Sequence, residues 1–309
     1  MENDALQTNQ FQNKTTTPAP EKGVELMPRF TQRIADGWER ALDITPLTLI
    51  PVLFACLEID KIQSVLAHDG MYFGLQFGFP HAVGTVWSFV SVPTSGFTVR
   101  FGIVDGMSPT ILLLVAATVV VKSALTAGYF GSVASYLERG SYDFFAHVRA
   151  YFVPFLLLGV LPLLVLLPLA AGVGFRSGGF GGGIAALFVA AIVVFLGVSY
   201  LFYATPYLLV LRELGLVAAL QESYSLAVRG GPYVSYFLGY VAFTACVSLV
   251  ASAMVVNIPV VGLLVGIVGG GVLGLALNIA TMRFVADIDP ESPTLIEWEP
   301  SDDDSSHPA

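Results

Sequence analysis

The sequence predicts an all-α integral membrane protein of about six transmembrane helices, and three observations carry that reading. The chain is dominated by apolar runs: 55% of its 309 residues are hydrophobic and 12% charged, with a mean hydropathy of +0.75, whereas soluble domains carry about 25% charge. Inside one such run, residues 259–286, Gly262, Gly266, Gly270 and Gly274 recur at every fourth position, and Asn278 takes the next rung. On a helix of about 3.6 residues per turn they form one stripe. Glycine in a helix interior costs about 1 kcal/mol against alanine, a cost that makes sense in a bilayer, where small residues let another helix approach. The third observation is a positive-charge bias between alternate loops, as a multi-pass topology requires.

Residues 1–26 are polar and rich in Thr, Pro, Asn and Gln. They lack the apolar region of a signal peptide and read as a disordered cytoplasmic tail, with a single membrane domain over 27–286. Phe30, Ile34, Trp38 and Leu42 then recur four apart, with Arg29, Arg33 and Arg40 off that line, the pattern of an interfacial helix lying aromatic side down. Residues 44–57 form the first span, with Pro46 near its start and a kink expected at Pro51. Residues 58–109 form a long extracellular loop, whose Val-, Ser- and Thr-rich run 82–93 suits short strands.

The second span, 110–133, contains Lys122, and Gly140 stops the helix that carries it out. Ser141 is placed to cap a short amphipathic helix, 142–149, leading into the third span, 151–173. Residues 174–183 are a glycine-rich loop without the lysine and strand context of a phosphate-binding loop. The fourth span is 184–211, followed by an amphipathic helix over 216–228. Gly230 and Gly231 end that helix and Pro232 opens the fifth span, 233–256. The link 257–259 is short enough to make spans five and six antiparallel neighbours. Thr244, Ser248 and Ser252 form a small-residue stripe on span five, predicted to face the glycine ladder. Residues 287–309 hold eight carboxylates and no Lys or Arg, and read as an acidic, disordered cytoplasmic tail.

The spans thus fall into three hairpins, each preceded by an arginine-bearing amphipathic segment. With the N-terminus inside, ten Lys and Arg residues lie on the inner side and only Lys61, Arg100 and Arg176 outside. Both termini are therefore expected in the cytoplasm and the protein in the cell membrane.

From Thr205 through Gly231, a helix carrying Pro206, a turn at Gly215, a helix bearing Ala219, Leu220 and Ser223, and a break at Arg229-Gly230 follow one another. Gly128 through Gly140 repeats the plan, with Arg139-Gly140 before the next amphipathic segment. Over residues 110–286 the chain resembles the membrane domain attached to some glycerophosphodiester phosphodiesterases, and multi-pass bacterial and archaeal proteins of the same type. The resemblance implies a six-helix membrane fold. It does not imply phosphodiesterase activity, because in those enzymes a separate soluble barrel carries the catalysis.

A net charge of −9 argues against nucleic acid as a partner, and the acidic, lysine-poor composition suits a cytoplasm at high salt, where screening relieves self-repulsion. Cys56 and Cys246 are too few for a disulfide framework. His68, His81, His147 and His307 are scattered, so no metal and no cofactor is expected. No catalytic motif is present and a non-enzymatic role is expected.

Lys122 is the sharpest feature, since an ionisable residue inside a span is by default a functional hypothesis. Thr118, Lys122, Thr126 and Tyr129 share one helical face. Snorkelling and a structural hydrogen-bonding role are the bland alternatives. Asn278 reads as interhelical glue, and Tyr200, Tyr203 and Tyr207 as an interfacial aromatic belt. The first functional reading is a protein that organises or assists at the membrane with a lipid or protein partner. The second is a small transporter or channel with a polar path through Lys122, Thr118, Thr126 and Asn278. The third is a membrane enzyme acting on lipid or glycerophosphoryl substrates.

Overall fold

Where the apolar runs predict helices, helices form. The computed structural model describes residues 28–80, 83–93, 109–172, 183–258 and 260–295, all-helical with no strand among them. Five stretches are long and apolar enough to cross a membrane: Leu113–Arg139, Phe144–Leu164, Ile192–Leu211, Pro232–Asn257 and Val261–Ile288. A sixth exists if the bent pair Phe30–Asp43 and Thr45–Leu57, which meet at 99°, forms one span.

Prolines accompany two of the helix breaks, those before Pro46 and Pro206. Helix α1 (Phe30–Asp43) passes through a 3-10 turn, Thr45–Thr48, into α2 (Leu49–Leu57). The bend falls at Ile44, before Pro46, which has no N–H to continue the ladder. Pro51 lies in the first turn of α2, where a missing N–H goes unnoticed, so the kink expected there does not form. After α3 (Ile59–Leu66) and α4 (Pro109–Arg139) comes α5 (Phe144–Gly172), unbroken. Its cap is Asp143, whose Oδ1 accepts the Ala146 N–H at 3.1 Å, so the short amphipathic helix and third span are one element. The fourth span divides into α6 (Gly183–Phe202) and α7 (Thr205–Leu211), because Pro206 cannot bond the carbonyl of Phe202 and crowds it. Then follow α8 (Leu216–Arg229), α9 (Pro232–Asn257) and α10 (Val261–Ile288), with Gly230 (φ 68°) and Gly231 (φ 58°) making the turn before α9.

The most extensive helix contacts are α4 with α5 and α1 with α10. The buried stripe of α1 is Arg33, Gly37 and Ala41, while Trp38 and Leu42 stay exposed. A side chain at Gly37 would collide with the Ala276 carbonyl. Arg33 pairs with Asp287 at 2.5 Å, and Arg283, 2% exposed, pairs with Asp36. These ion pairs hold α1 along the C-terminal half of α10.

They also change the reading of the acidic tail. Asp287 lies within α10; Asp289 is fully buried, 3.6 Å from Arg212, and accepts the Ser292 hydroxyl at 2.6 Å; Leu295 is buried. Residues 287–295 are packed because arginines elsewhere in the chain neutralise their carboxylates. The tail readings for 1–26 and for the remainder of 287–309, and most of the glycine-rich loop, lie outside the described residues. Tyr203 and Tyr207 are fully buried rather than forming a belt: Tyr203 stacks on Tyr233, with ring centroids 4.2 Å apart, and Tyr207 donates to the Pro80 carbonyl at 3.0 Å.

Among its described residues, the segment expected as a long extracellular loop with short strands forms no strand and packs along α9 and α10; residues 94–108 lie outside the described residues. Residues 71–79 are extended and run antiparallel to α9. Tyr72 exchanges two hydrogen bonds with the Asn257 amide (2.7 and 2.9 Å), the Gln76 N–H reaches Ser248 Oγ (2.6 Å) and the Gly78 N–H reaches Thr244 Oγ1 (3.1 Å). Thr244 to Asn257 covers about 20 Å of helix, and Tyr72 to Gly78 about 20 Å of extended chain. The spacing works because four helical residues and two extended ones both advance about 6 Å. Met71, Phe73, Leu75 and Phe77 alternate outward and exposed.

The chain then returns over residues 83–93, with the Ser91 N–H on Ser252 Oγ at 2.8 Å. The hydroxyl stripe of α9 therefore meets this re-entrant hairpin and not the glycines of α10. The glycines divide their work. Gly262 and Gly266 lie against Met254 and Val255 of α9, whereas Gly270 lies against Val86 and Gly274 against the Gly84 backbone. A Cβ at Gly270 would sit 2.6 Å from Val86 Cα, and one at Gly274 would collide with the Gly84 carbonyl.

Candidate functional site

The hairpin leaves a gap between itself, α2, α4 and α5. Its return arm contains a 3-10 turn, Val86–Ser88, closed by Thr85 and Ser88, which bond reciprocally. This turn presents Trp87, whose indole N–H donates to the Ala55 carbonyl at 2.9 Å. Ala55 lies in the last turn of α2, and its carbonyl, which also accepts the Glu58 N–H at 3.3 Å, ties hairpin to helix. Beside it, Lys61 Nζ lies 2.6 Å from Glu58 and 5.7 Å from the centre of the Trp87 ring.

Between these elements lies a cavity of about 430 Å³, within the usual range of ligand sites, about 300–1,000 Å³. Its polar lining comes from Glu58, Lys61, Thr85, Ser88, Lys122, Ser123 and Thr126. Phe54, Phe130, Phe155 and Pro206 supply apolar walls. Gly159 of α5 also lines it and is exposed; a Cβ there would sit 3.0 Å from Ser123 Oγ, so its missing side chain brings α5 close to α4, and half-exposed Val119, Lys122 and Leu158 beside it put this wall of the cavity at the molecule's surface.

Lys122 is half-buried on α4. It lies about 13 Å along the helix from Leu113 and about 25 Å from Arg139, too far for its stem to reach the Arg139 end. Its ammonium sits 5.6 Å from the centre of the Phe54 ring, a cation–π contact worth about 0.5–2 kcal/mol. Among the described residues no carboxylate lies within ion-pair distance of it. Glu58, the one carboxylate in the lining, is already engaged by Lys61.

The residues expected to share a path separate. Lys122 and Thr126 line the cavity, with the Thr126 hydroxyl turned back onto the Lys122 carbonyl at 2.7 Å. Thr118 is exposed and bonds its own helix at Leu114 (2.8 Å). Asn278 stands behind the hairpin tip: its Oδ1 accepts from the Gly84 N–H and the Tyr129 hydroxyl, both at 3.0 Å, and its Nδ2 donates to the Tyr207 hydroxyl at 2.9 Å. Glu58, Lys61, Trp87 and Ser123 join the site unannounced by any motif. The only hint in the chain was the Val-, Ser- and Thr-rich run that became the return arm. Among the described residues no group of His, Cys, Asp and Glu is placed to hold a metal.

Comparison with protein-family models, curated proteins and solved structures returns no match.

Proposed function

We propose that this is a non-enzymatic, multi-pass protein of the cell membrane, with both termini cytoplasmic, that assists at the bilayer by holding a lipid partner in the cavity beside Lys122. One observation carries the reading: a lysine in the middle of an apolar helix, without a carboxylate partner among the described residues, faces a cavity whose α4–α5 wall reaches the molecule's surface at half-exposed Val119 and Leu158 and exposed Gly159. An amphiphile could enter there from the bilayer and leave its tails outside. The three-hairpin plan and the interfacial amphipathic helices belong to the same reading. The amphipathic helices are supported by α8, which buries Ala219, Ser223 and Leu226 and exposes Val217, Tyr224 and Val228, and the third hairpin by the packing of α9 on α10. The test is lipid carried through purification: Val119→Phe, which fills the cavity from α4, should strip the bound lipid while the protein still elutes as a folded species. Unchanged lipid content would count against the site.

A second reading, transport, is favoured by one observation: the cavity borders non-helical backbone at mid-helix depth, the arrangement found where membrane proteins line a water-filled site. Phe130, Phe155 and Pro206 line the same cavity, and a route between them would require movement. Proteoliposome flux abolished by Lys122→Met would support it. The enzyme reading rests on the resemblance to phosphodiesterase membrane domains, and predicts release of glycerol 3-phosphate from glycerophosphodiesters by the purified chain.

A further inference from the structure

We infer that the cavity selects a phosphate-bearing, anionic lipid headgroup, with Lys122 as its counter-ion; the inference rests on the proposed reading of the cavity as an amphiphile site. Charge comes first. Among the described residues the lining carries two lysines and one carboxylate, and the carboxylate belongs to the Glu58–Lys61 pair at 2.6 Å. Lys122 is left half-buried on an apolar helix with no carboxylate partner among the described residues, a setting in which an opposite charge is worth more than in water. The Phe54 ring contributes attraction but no negative charge.

The donors come second. The same lining carries two hydroxyl residues, Ser123, which is nine-tenths buried or more, and Ser88. An ammonium with three N–H donors and two hydroxyls suits a group with several acceptor oxygens, and a phosphodiester offers more of these than a carboxylate. Lys61 stands on the same lining, held by Glu58 beside Trp87. It is a second cation that can be drawn to the ligand.

Size and access come third. The cavity has room for roughly 14 waters, enough for a headgroup and too little for the tails of a two-chain lipid. The surface-reaching wall between α4 and α5, with half-exposed Val119 and Leu158 and exposed Gly159, lets the tails remain in the bilayer. A free phosphate ester shares the headgroup chemistry but has no use for this access or for the apolar wall, so the lipid is the favoured source.

The experiment uses the full chain, purified, stripped of lipid and titrated by native mass spectrometry with phosphatidylglycerol, phosphatidylcholine, oleate, inorganic phosphate and glycerol 3-phosphate. Phosphatidylglycerol should bind at least about tenfold more tightly than phosphatidylcholine, Lys122→Met should erase that preference, and Lys122→Arg should keep it. Val119→Phe should abolish binding of both lipids. If both lipids bind wild type equally and Val119→Phe removes both, the anion selectivity is wrong while the amphiphile site stands. If Val119→Phe leaves both bound, the site itself is lost. Oleate binding as tightly as phosphatidylglycerol would overturn the phosphate requirement, and protection by glycerol 3-phosphate or inorganic phosphate equal to that by lipid would overturn the lipid source. A Lys122→Met protein with unchanged elution and melting temperature and an undiminished preference would remove Lys122 from the role.

Discussion

Replacing Asn278 by leucine tests the contact on which the hairpin tip depends. The side chain is 1% exposed and serves three partners. Tyr207 retains its own bond to the Pro80 carbonyl at 3.0 Å, so it loses only an incoming donor. The Gly84 N–H and the Tyr129 hydroxyl, in contrast, each lose their acceptor in a dry interior. Orphaning a buried donor costs about 1–3 kcal/mol, whereas hydrogen bonds between membrane helices average about 0.6 kcal/mol and reach about 1.7. Two orphaned donors therefore set a range of about 1–6 kcal/mol, and we expect a loss of about 2–4 kcal/mol. Leucine is close to asparagine in size, so little of this reflects a cavity. The assay is reversible unfolding in mixed micelles, with amide exchange at Gly84 and Val86 followed in parallel. Thr118→Val is the control: its hydroxyl is exposed and bonds its own helix, so it should change stability by less than about 0.5 kcal/mol. An Asn278→Leu protein as stable as that control, with exchange at Gly84 unchanged, would refute the claim that the amide holds the hairpin.

Further outcomes are expected. Gly274→Ala should destabilise by at least about 1–3 kcal/mol, because its Cβ meets the Gly84 backbone and not a movable side chain; Gly269→Ala, with nothing within 4 Å, should be neutral or stabilising by up to about 1 kcal/mol, and equal losses in micelle unfolding would contradict the division of the ladder. Asp36→Ala should cost about 3 kcal/mol by stripping the carboxylate from buried Arg283, and adding Arg283→Met should recover part of it; a double mutant as unstable as the sum of the singles would argue against the pair. Thr244→Val, Ser248→Ala and Ser252→Ala combined should cost about 1 kcal/mol per hydroxyl and speed amide exchange at Gln76, Gly78 and Ser91; protection that survives the triple change would show that the hydroxyls do not carry the hairpin.

The helical, membrane-like character of the chain was legible residue by residue. A span needs only a long apolar run, a local property, and the end of α8 and the start of α9 followed local chemistry as well, at Gly230, Gly231 and Pro232. Lys122 was legible too, because a charge among apolar neighbours stands out without any knowledge of what it faces. The partners of each stripe were beyond the sequence. A row of Thr244, Ser248 and Ser252 is equally suited to meeting glycines or to bonding an extended backbone, since both want small side chains on one helical face. Only the tertiary structure, by laying residues 71–80 and 83–93 along α9 and α10, decided that the hydroxyls serve as acceptors for the hairpin. The same packing gathered Glu58, Lys61 and Trp87 around Lys122, residues whose distance in the chain from α4 hides any common purpose. Periodicity reports which face of a helix is special; which backbone comes to lie against that face depends on contacts between distant segments, and no local pattern records them.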